Sequence, residues 1–362
     1  MDATMSAVND FLKKYGMFPG DIDPEAICAD FESEMDRGLS SYQSGGSLMM
    51  LPTFIKIEDT IPVAEPVIVI DAGGTNLRTA LVHFDRDLNC AIEEFRNHPM
   101  PGANGAISKE AFFETLYEYL EPLLDRSDRI GFCFSYPTAI MPNRDGKVLA
   151  MSKEIRVDGL IGEPVNQNVH DAIRAHRPSA RKSIIQINDT AATLLGGKAA
   201  YPGRFFESYI GLILGTGTNT CYIENCANVK KLGEVEMTPE QTAAYGPGNS
   251  MLINVESGNF NKAPRSAFDI SLDEKTKDPG RYMFEKAMSG GYQGLLLTEV
   301  LHKAAADGLF SAEACARFAA IEGLEARDID TFLFFPYGDN VLAAAVGANA
   351  FAANANIGGA AA

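Results

Sequence analysis

The chain has no tryptophan, only five histidines and no pair of cysteines at metal-ligand spacing. The six cysteines, Cys28, Cys90, Cys133, Cys221, Cys226 and Cys315, are scattered and mostly set in apolar contexts. They read as reduced, mostly buried thiols of a cytoplasmic protein, not as a disulfide framework or a zinc site. No stretch approaches the roughly 20 apolar residues that span a bilayer, and the N-terminus is polar where a signal peptide would be apolar. Membrane insertion and secretion are disfavoured. Positive charge is scarce as well: 31 Lys and Arg stand against 48 Asp and Glu, a formal net charge of −17. Nothing in that balance steers a phosphate polymer to the surface, which argues against nucleic acid or an anionic membrane as partner. Any phosphate site must be local.

What is present is a chain of 362 residues, 46% hydrophobic and 22% charged, long enough for two domains with sizeable cores. The most informative stretch runs from Val67 to Arg78, VIVIDAGGTNLR. A β-branched apolar run stops at Asp71, passes two glycines, and resumes as an alternating strand at Leu77, Thr79, Leu81 and His83. The pattern predicts a hairpin with an open polar turn. Gly73 and Gly74 have access to φ > 0, and Thr75 and Asn76 add donors that suit an anion. Phosphate is the natural guest, and Asp71, out of place as core, is placed to hold Mg²⁺ through water. The plain alternative is an ordinary two-strand turn with a capping aspartate.

Residues 1–60 carry two helical patterns. In the second, Asp23 and Pro24 start a helix, Ile27, Phe31 and Met35 share a face, and Gly38 supplies the stop. SLMMLPTFIKI then reads as an extended segment against a core, with a domain crossing near 60–66 between Pro62 and Pro66. Three strands follow (VIVIDA, LRTALVHFD, AIEEFRN), then a helix capped by Ser108 with Phe112, Phe113, Leu116 and Leu120 inside. This is the opening of an α/β unit with an antiparallel flank. IGFCFSYPT is a buried strand running into Ser135, and a helix follows near 164–175. SIIQIND is another buried strand, delivering Asn188 and Asp189 in front of a helix that starts at Thr190.

Polar residues at the carboxyl ends of strands sit where open α/β sheets hold ligands, although Asp189 acting only as an N-cap satisfies the same pattern. YIGLILGTGTNTCYIE repeats the strand, glycine-threonine turn and strand at Gly215, Thr216, Gly217 and Thr218. Two such turns with a strand-end carboxylate between them imply two related halves facing one cleft. Further on, Glu256 lies inside a strand-like run, either at an exposed edge or as a buried acceptor. Glu285 stands near the start of a helix, where exposure is the default, and Gly290 and Gly291 break that helix from the next.

These blocks resemble, in order, those of the hexokinase/glucokinase family of the actin-like ATPase superfold. They are LPTF at 51–54, IDAGGTNLR at 70–78, GFCFSYPT at 131–138, INDTAATLL at 187–195, IGLILGTGTNTCYIE at 210–224, INVESGNF at 253–260 and PGRYMFEKAMSG at 279–290. A lone DxGGTN would not be specific, whereas an ordered set is. The resemblance implies an α/β, two-domain actin-like ATPase (ribonuclease H-like) fold with a ligand cleft between the domains. Residues 1–65 would be the N-terminal helical part of the large domain, 66–186 the small domain, 187–340 the large domain and 341–362 an alanine-rich tail.

The implied activity is phosphorylation of the 6-hydroxyl of a hexose such as glucose, with ATP and Mg²⁺, in the glycolytic cytoplasm. Asp189 would be the general base. Asn188, Asn219, Glu256 and Glu285 would bind the sugar hydroxyls, joined by Ser135 from the smaller domain. Lys153 falls where the family has a threonine-lysine pair that touches the sugar and the transferring phosphate, with Ser152 in the threonine's place. Gly73, Gly74, Thr75, Asn76 and Arg78 would clamp the β- and γ-phosphates, Asp71 would hold Mg²⁺ through water, and Gly215, Thr216, Gly217 and Thr218 would form the opposing clamp.

The family continues to a strand ending in an Asp-Gly-Ser/Thr motif and a turn opening a final helix, which together hold adenosine. Here the chain runs FLFFPYGDNVLAAAV into GANAFAANANIGGAAA, where Gly338 and Asp339 come nearest to that motif without matching it. The tail reads as marginal helix or as disorder. Without such a segment the large domain would expose apolar surface, favouring a homo-oligomer or lower stability. The competing function is then a hexose-binding protein or sensor with little or no kinase activity.

Overall fold

The computed structural model describes residues 3–57, 63–74, 76–151, 155–201, 204–336 and 338–346. Of the residues singled out above, Pro62, Thr75, Ser152, Lys153 and the tail from 347 onward lie outside the described residues. The chain forms two compact units: Met35–Ile213 with Asn219–Glu256, and Met1–Glu34 with Leu214–Thr218 and Ser257–Ala362.

The first unit is built around a five-stranded sheet in the order Ser183–Ile187, Arg129–Phe134, Val67–Ala72, Asn76–Phe84, Cys90–Pro99. The expected hairpin forms its centre, with Asp71 opposite Arg78, and Cys90–Pro99 extends it antiparallel. On the other side Val67–Ala72, Arg129–Phe134 and Ser183–Ile187 run parallel. Parallel neighbours require crossovers, and helices Lys109–Leu120 and Val165–His176 lie in them. Their apolar faces, among them Phe112, Leu116, Val169 and Ile173, join Ile68, Ile70, Phe132 and Phe134 of the sheet in one core.

Ser108 caps the first of these helices as expected, accepting from the Ala111 amide at 3.2 Å. The second starts after Pro164, which has no side-chain cap to offer. The buried carboxylate of Asp145 supplies it from another loop, accepting from the amides of Asn166 at 2.7 Å and Gln167 at 3.1 Å.

A second sheet has the order Leu51–Pro52, Ser250–Asn254, Thr218–Asn225, Ile210–Leu214. Ala191 and Leu194 of helix Asp189–Ala200 pack with Cys221, Leu252 and Ile55 of this region.

Helix Pro24–Ser40 continues past Gly38, so that glycine is not a stop. A Cβ there would stand 2.4 Å from the Leu48 carbonyl oxygen and from Met50 Cγ. Gly38 is a crossing point for the 48–50 segment. That segment is itself constrained: Met50 sits at φ 47°, and the buried Lys231 ammonium donates to the carbonyls of Met49 at 2.8 Å and Met50 at 3.2 Å.

The second unit is mainly helical. Phe11, Phe268, Leu272, Leu296 and Ala304 form its main core, drawn from helices Ala3–Lys14, Ala267–Glu274 and Gly290–Ala306. The short helix Met283–Met288 is anchored by buried Lys286, which donates to Asp273 Oδ1 at 2.8 Å, Thr276 Oγ1 at 2.8 Å and the Asp278 carbonyl at 2.9 Å. That anchor fixes the neighbouring Glu285.

Candidate active site

The parallel strands of the first unit bring the polar residues predicted at their carboxyl ends to one edge. Asp71 is opposite Cys133, and Cys133 is opposite Ile187, so Ser135, Asn188 and Asp189 all follow directly from that row. The Ser135 amide donates to the Ala72 carbonyl at 3.1 Å, holding its loop against the central strand. Burial, and after it the charges of Asp71 and Asp189, push the Cys133 thiol far above its ordinary range. Both carboxylates therefore lie near this thiol.

The cap of helix Asp189–Ala200 is Asn188, not Asp189. Asn188 Oδ1 accepts from the Thr190 amide at 2.9 Å and from Thr190 Oγ1 at 2.5 Å. Asp189 is the first helical residue, where one carboxylate oxygen accepts from the Thr190 amide at 2.9 Å. Asp189 thus stands at the N-terminal end of the helix, where the first amides point outward, while Asn188 supplies the cap.

Asn188 also begins a line of side-chain amides. Asn219 Nδ2 lies 3.5 Å from Asn188 Oδ1 and donates to Asn254 Oδ1 at 2.8 Å, and Asn254 Nδ2 donates to Glu256 Oε1 at 2.9 Å. Glu256 stands two residues beyond the end of strand Ser250–Asn254 rather than within a strand, at φ 57°, and is buried. Glu256 is therefore not at an exposed edge, and the donor its Oε1 meets is Asn254 of the same chain. Asn254 was not anticipated; it is the last residue of that strand, two positions before Glu256.

At the first glycine turn Gly73 does not use the left-handed region that the sequence suggested. Its amide donates to the Asn76 carbonyl at 3.0 Å, the Gly73 carbonyl accepts from the Tyr136 hydroxyl at 2.7 Å, and a Cβ would sit 3.3 Å from the Asn76 oxygen. Close approach, not φ, explains this glycine. Asn76 Oδ1 accepts from Asn97 Nδ2 at 3.2 Å. Arg78 pairs with Asp71 at 2.7 Å, both groups partly exposed, so the cation and the carboxylate assigned to phosphate and magnesium hold one another.

The second glycine turn lies in the other unit. The Gly215 amide donates to the Gly217 carbonyl at 2.9 Å, and the Thr218 amide donates to Glu285 Oε2 at 2.9 Å. The carbonyls of Gly215 and Thr216 accept from the amides of Gly290 at 2.8 Å and Gly291 at 3.1 Å. Gly290 and Gly291 therefore open helix Gly290–Ala306 against this turn, where sequence suggested only a break. A Cβ on Gly291 would stand 2.6 Å from the Thr216 oxygen, and one on Gly217 would stand 2.5 Å from Glu285 Oε2. Glu285, expected at the surface, is half-buried and aimed at the turn.

Two models of the family named hexokinase match the chain, one over residues 13–199 and one over 209–332. The chain belongs to the hexokinase family. It is 31% identical over 290 residues to hexokinase of Schwanniomyces occidentalis and 30% identical over 291 residues to hexokinase-2 of Candida albicans, covering 76% of this chain in each case. The chain spans 57% of the length of each of these relatives. Among solved structures, hexokinase from Schistosoma mansoni complexed with glucose superposes with a TM-score of 0.71 at 23% identity, over 95% of this chain and 80% of that one. A further hexokinase crystal structure gives 0.65 at 23% identity, over 92% and 73%. The fold is the α/β actin-like ATPase architecture of that family.

Within a hexokinase-type site the donor set suits a magnesium ion held through water. Among the described residues no group of three or more His, Cys, Asp and Glu side chains could hold a metal ion. Asp71, whose carboxylate is paired with Arg78, would be the single protein carboxylate such an ion needs beside phosphate oxygens and water. No helix among the described residues is long and apolar enough to cross a membrane.

Proposed function

We propose that this member of the hexokinase family phosphorylates the 6-hydroxyl of a hexose such as glucose at the expense of ATP. The observation that carries the proposal is the strand-end edge of Asp71, Ser135, Asn188 and Asp189, flanked by the amide line from Asn188 to Glu256. A sugar is all donors and acceptors, and such a set matches it. Asp189 takes the proton of the 6-hydroxyl as that oxygen attacks the γ-phosphorus; the new O–P bond forms as the bond to the ADP oxygen breaks. Asn188, Asn219, Glu256 and Glu285 bind the hydroxyls, with Ser135, and with Ser152 and Lys153 by resemblance. Gly73, Gly74, Thr75, Asn76 and Arg78 bind phosphate, as do Gly215, Thr216, Gly217 and Thr218 by the same resemblance. Mg²⁺ held through Asp71 would neutralise charge on the phosphates.

The proposal keeps the division into a small domain at 66–186 and a large domain at 187–340, and it places the enzyme in the cytoplasm, supplying hexose 6-phosphate to glycolysis. A coupled assay with glucose, ATP and Mg²⁺ tests it, with Asp189→Ala as the control. Equal turnover by the two proteins removes Asp189 from the mechanism. Calorimetric binding of glucose without turnover by wild type would favour the second function, a hexose-binding protein or sensor.

A further inference from the structure

We propose that Asn254 is a positioning residue that clasps two sugar-binding side chains, Asn219 and Glu256, into one rigid acceptor-donor array. The proposal rests on the hexose site proposed above and concerns a residue that none of its assignments includes.

The bonding leaves no freedom in how the amides are turned. A carboxylate only accepts, so the Asn254 edge that meets Glu256 Oε1 at 2.9 Å must be its NH₂ group. Its oxygen then faces Asn219, and Asn219 must present NH₂ to it, at 2.8 Å. Asn219 Oδ1 is turned to the Thr220 amide at 2.7 Å, consistent with that assignment. One charged group thus sets the orientation of two carboxamides in sequence. Both ends of the Asn254 side chain are used, and the residue is 4% exposed, where hydrogen bonds are strong and a mismatched one is costly.

The clasp stands on a rigid base. Asn254 lies in a strand with partners on both sides, opposite Leu51 and opposite Cys221. Glu256, two residues on, holds φ 57°, a left-handed conformation that a non-glycine residue keeps only where its surroundings enforce it. The amide of Asn254 is one such restraint. Asn254 also lines a cavity together with Asn188, Thr53 and Gln186, so its influence falls on the same region as the helix cap beside Asp189.

A charge swap tests the clasp. In Asn254→Asp, the NH₂ donor to Glu256 is lost and two carboxylates face each other, and calorimetry with glucose is expected to show binding weakened by about 10- to 100-fold. In the double variant Asn254→Asp with Glu256→Gln, the donor returns from the other side: the carboxamide introduced at position 256 donates to the new carboxylate, which still accepts from Asn219. Glu256→Gln should therefore weaken glucose binding in the wild-type background and improve it, by at least about tenfold, in the Asn254→Asp background. KM for ATP should stay constant throughout.

A purely structural role would make the two changes additive, and additivity overturns the clasp, as does wild-type affinity in Asn254→Asp. If Asn254→Asp folds poorly, thermal melting of the swap decides, since restored pairing requires a folded protein that binds glucose; a swap that does neither overturns the clasp. Absence of glucose binding by wild type would overturn the proposed function and the clasp with it, whereas wild-type binding with additive variants overturns the clasp alone.

Discussion

Gly217 is the position where a single methyl group should separate the two roles of the second glycine turn. Its backbone does not occupy the left-handed region, so alanine is permitted by φ, yet the new Cβ would lie 2.5 Å from Glu285 Oε2. The carboxylate is the end of a flexible side chain and yields before the backbone does. What is lost is its bond to the Thr218 amide at 2.9 Å, a charge-assisted hydrogen bond worth about 1.5–3 kcal/mol. Restricting the unfolded chain by Gly→Ala returns about 0.4–1 kcal/mol. The balance is a destabilisation of about 0.5–2.6 kcal/mol.

Because Glu285 is a proposed sugar contact, glucose affinity should also fall, by about tenfold for each 1.4 kcal/mol of misplacement. Gly215→Ala is the matched control: a Cβ there meets nothing within 4 Å, so it gains the same entropy without the clash. The chain has no tryptophan, so urea unfolding is best followed by far-ultraviolet circular dichroism, with calorimetry for glucose. Equal stability and equal glucose affinity in the two alanine variants would refute the argument that Gly217 exists to admit Glu285.

Asp189→Asn should reduce turnover by at least about 100-fold, within the usual range for loss of a general base, while glucose binding measured by calorimetry changes much less; retained turnover would exclude Asp189 as base. Asp145→Ala removes a buried acceptor shared by the amides of Gly146, Asn166 and Gln167 and should cost about 3 kcal/mol in urea unfolding, a loss below about 1 kcal/mol counting against its role as the cap of helix Val165–His176. Lys231 provides a pH test. Burial, partly opposed by Glu234, pushes its ammonium down from 10.5 to about 8. The unfolded chain then binds the extra proton between those values, so this group makes stability rise with pH from about 8 to 10.5 and leaves it level below. The rise is at most about 3 kcal/mol. Lys231→Met should flatten that part of the urea-midpoint profile, and an unchanged slope would show that Lys231 is not its source.

Local signals in the sequence located the elements well where the pattern was its own cause. The hairpin at 67–84, the cap at Ser108 and the strands ending near Ser135 and Asn188 are each set by apolar period and turn chemistry within a few residues, and each is found in place. Long-range partners were not legible in the same way. Gly38 looked like a stop because the segment that crosses it, 48–50, is ten residues away in sequence and carries no mark of that contact. Glu285 looked exposed because its partner amide belongs to Thr218, and Glu256 was left undecided because Asn254 could not be weighed as a partner.

The glycines of the two turns show what such contacts mean for the site. Both turns were read from sequence as phosphate loops, the first with glycines free to take unusual backbone angles, yet Gly73 lies outside the left-handed region, as do Gly215 and Gly217 of the second. At two of them an added Cβ would crowd a partner: at Gly73 the Asn76 carbonyl, at 3.3 Å, and at Gly217 the Glu285 carboxylate, at 2.5 Å. The first contact closes a turn on itself, the Gly73 amide donating to the Asn76 carbonyl at 3.0 Å. The second ties a proposed phosphate turn to a proposed sugar contact, so that a shift of either moves the other. Substitutions at Gly217 should accordingly alter glucose affinity as well as ATP use, while substitutions at Gly73 should alter ATP use alone; glucose and ATP titrations of Gly73→Ala and Gly217→Ala, compared side by side, would refute this coupling if both variants changed the ATP dependence only.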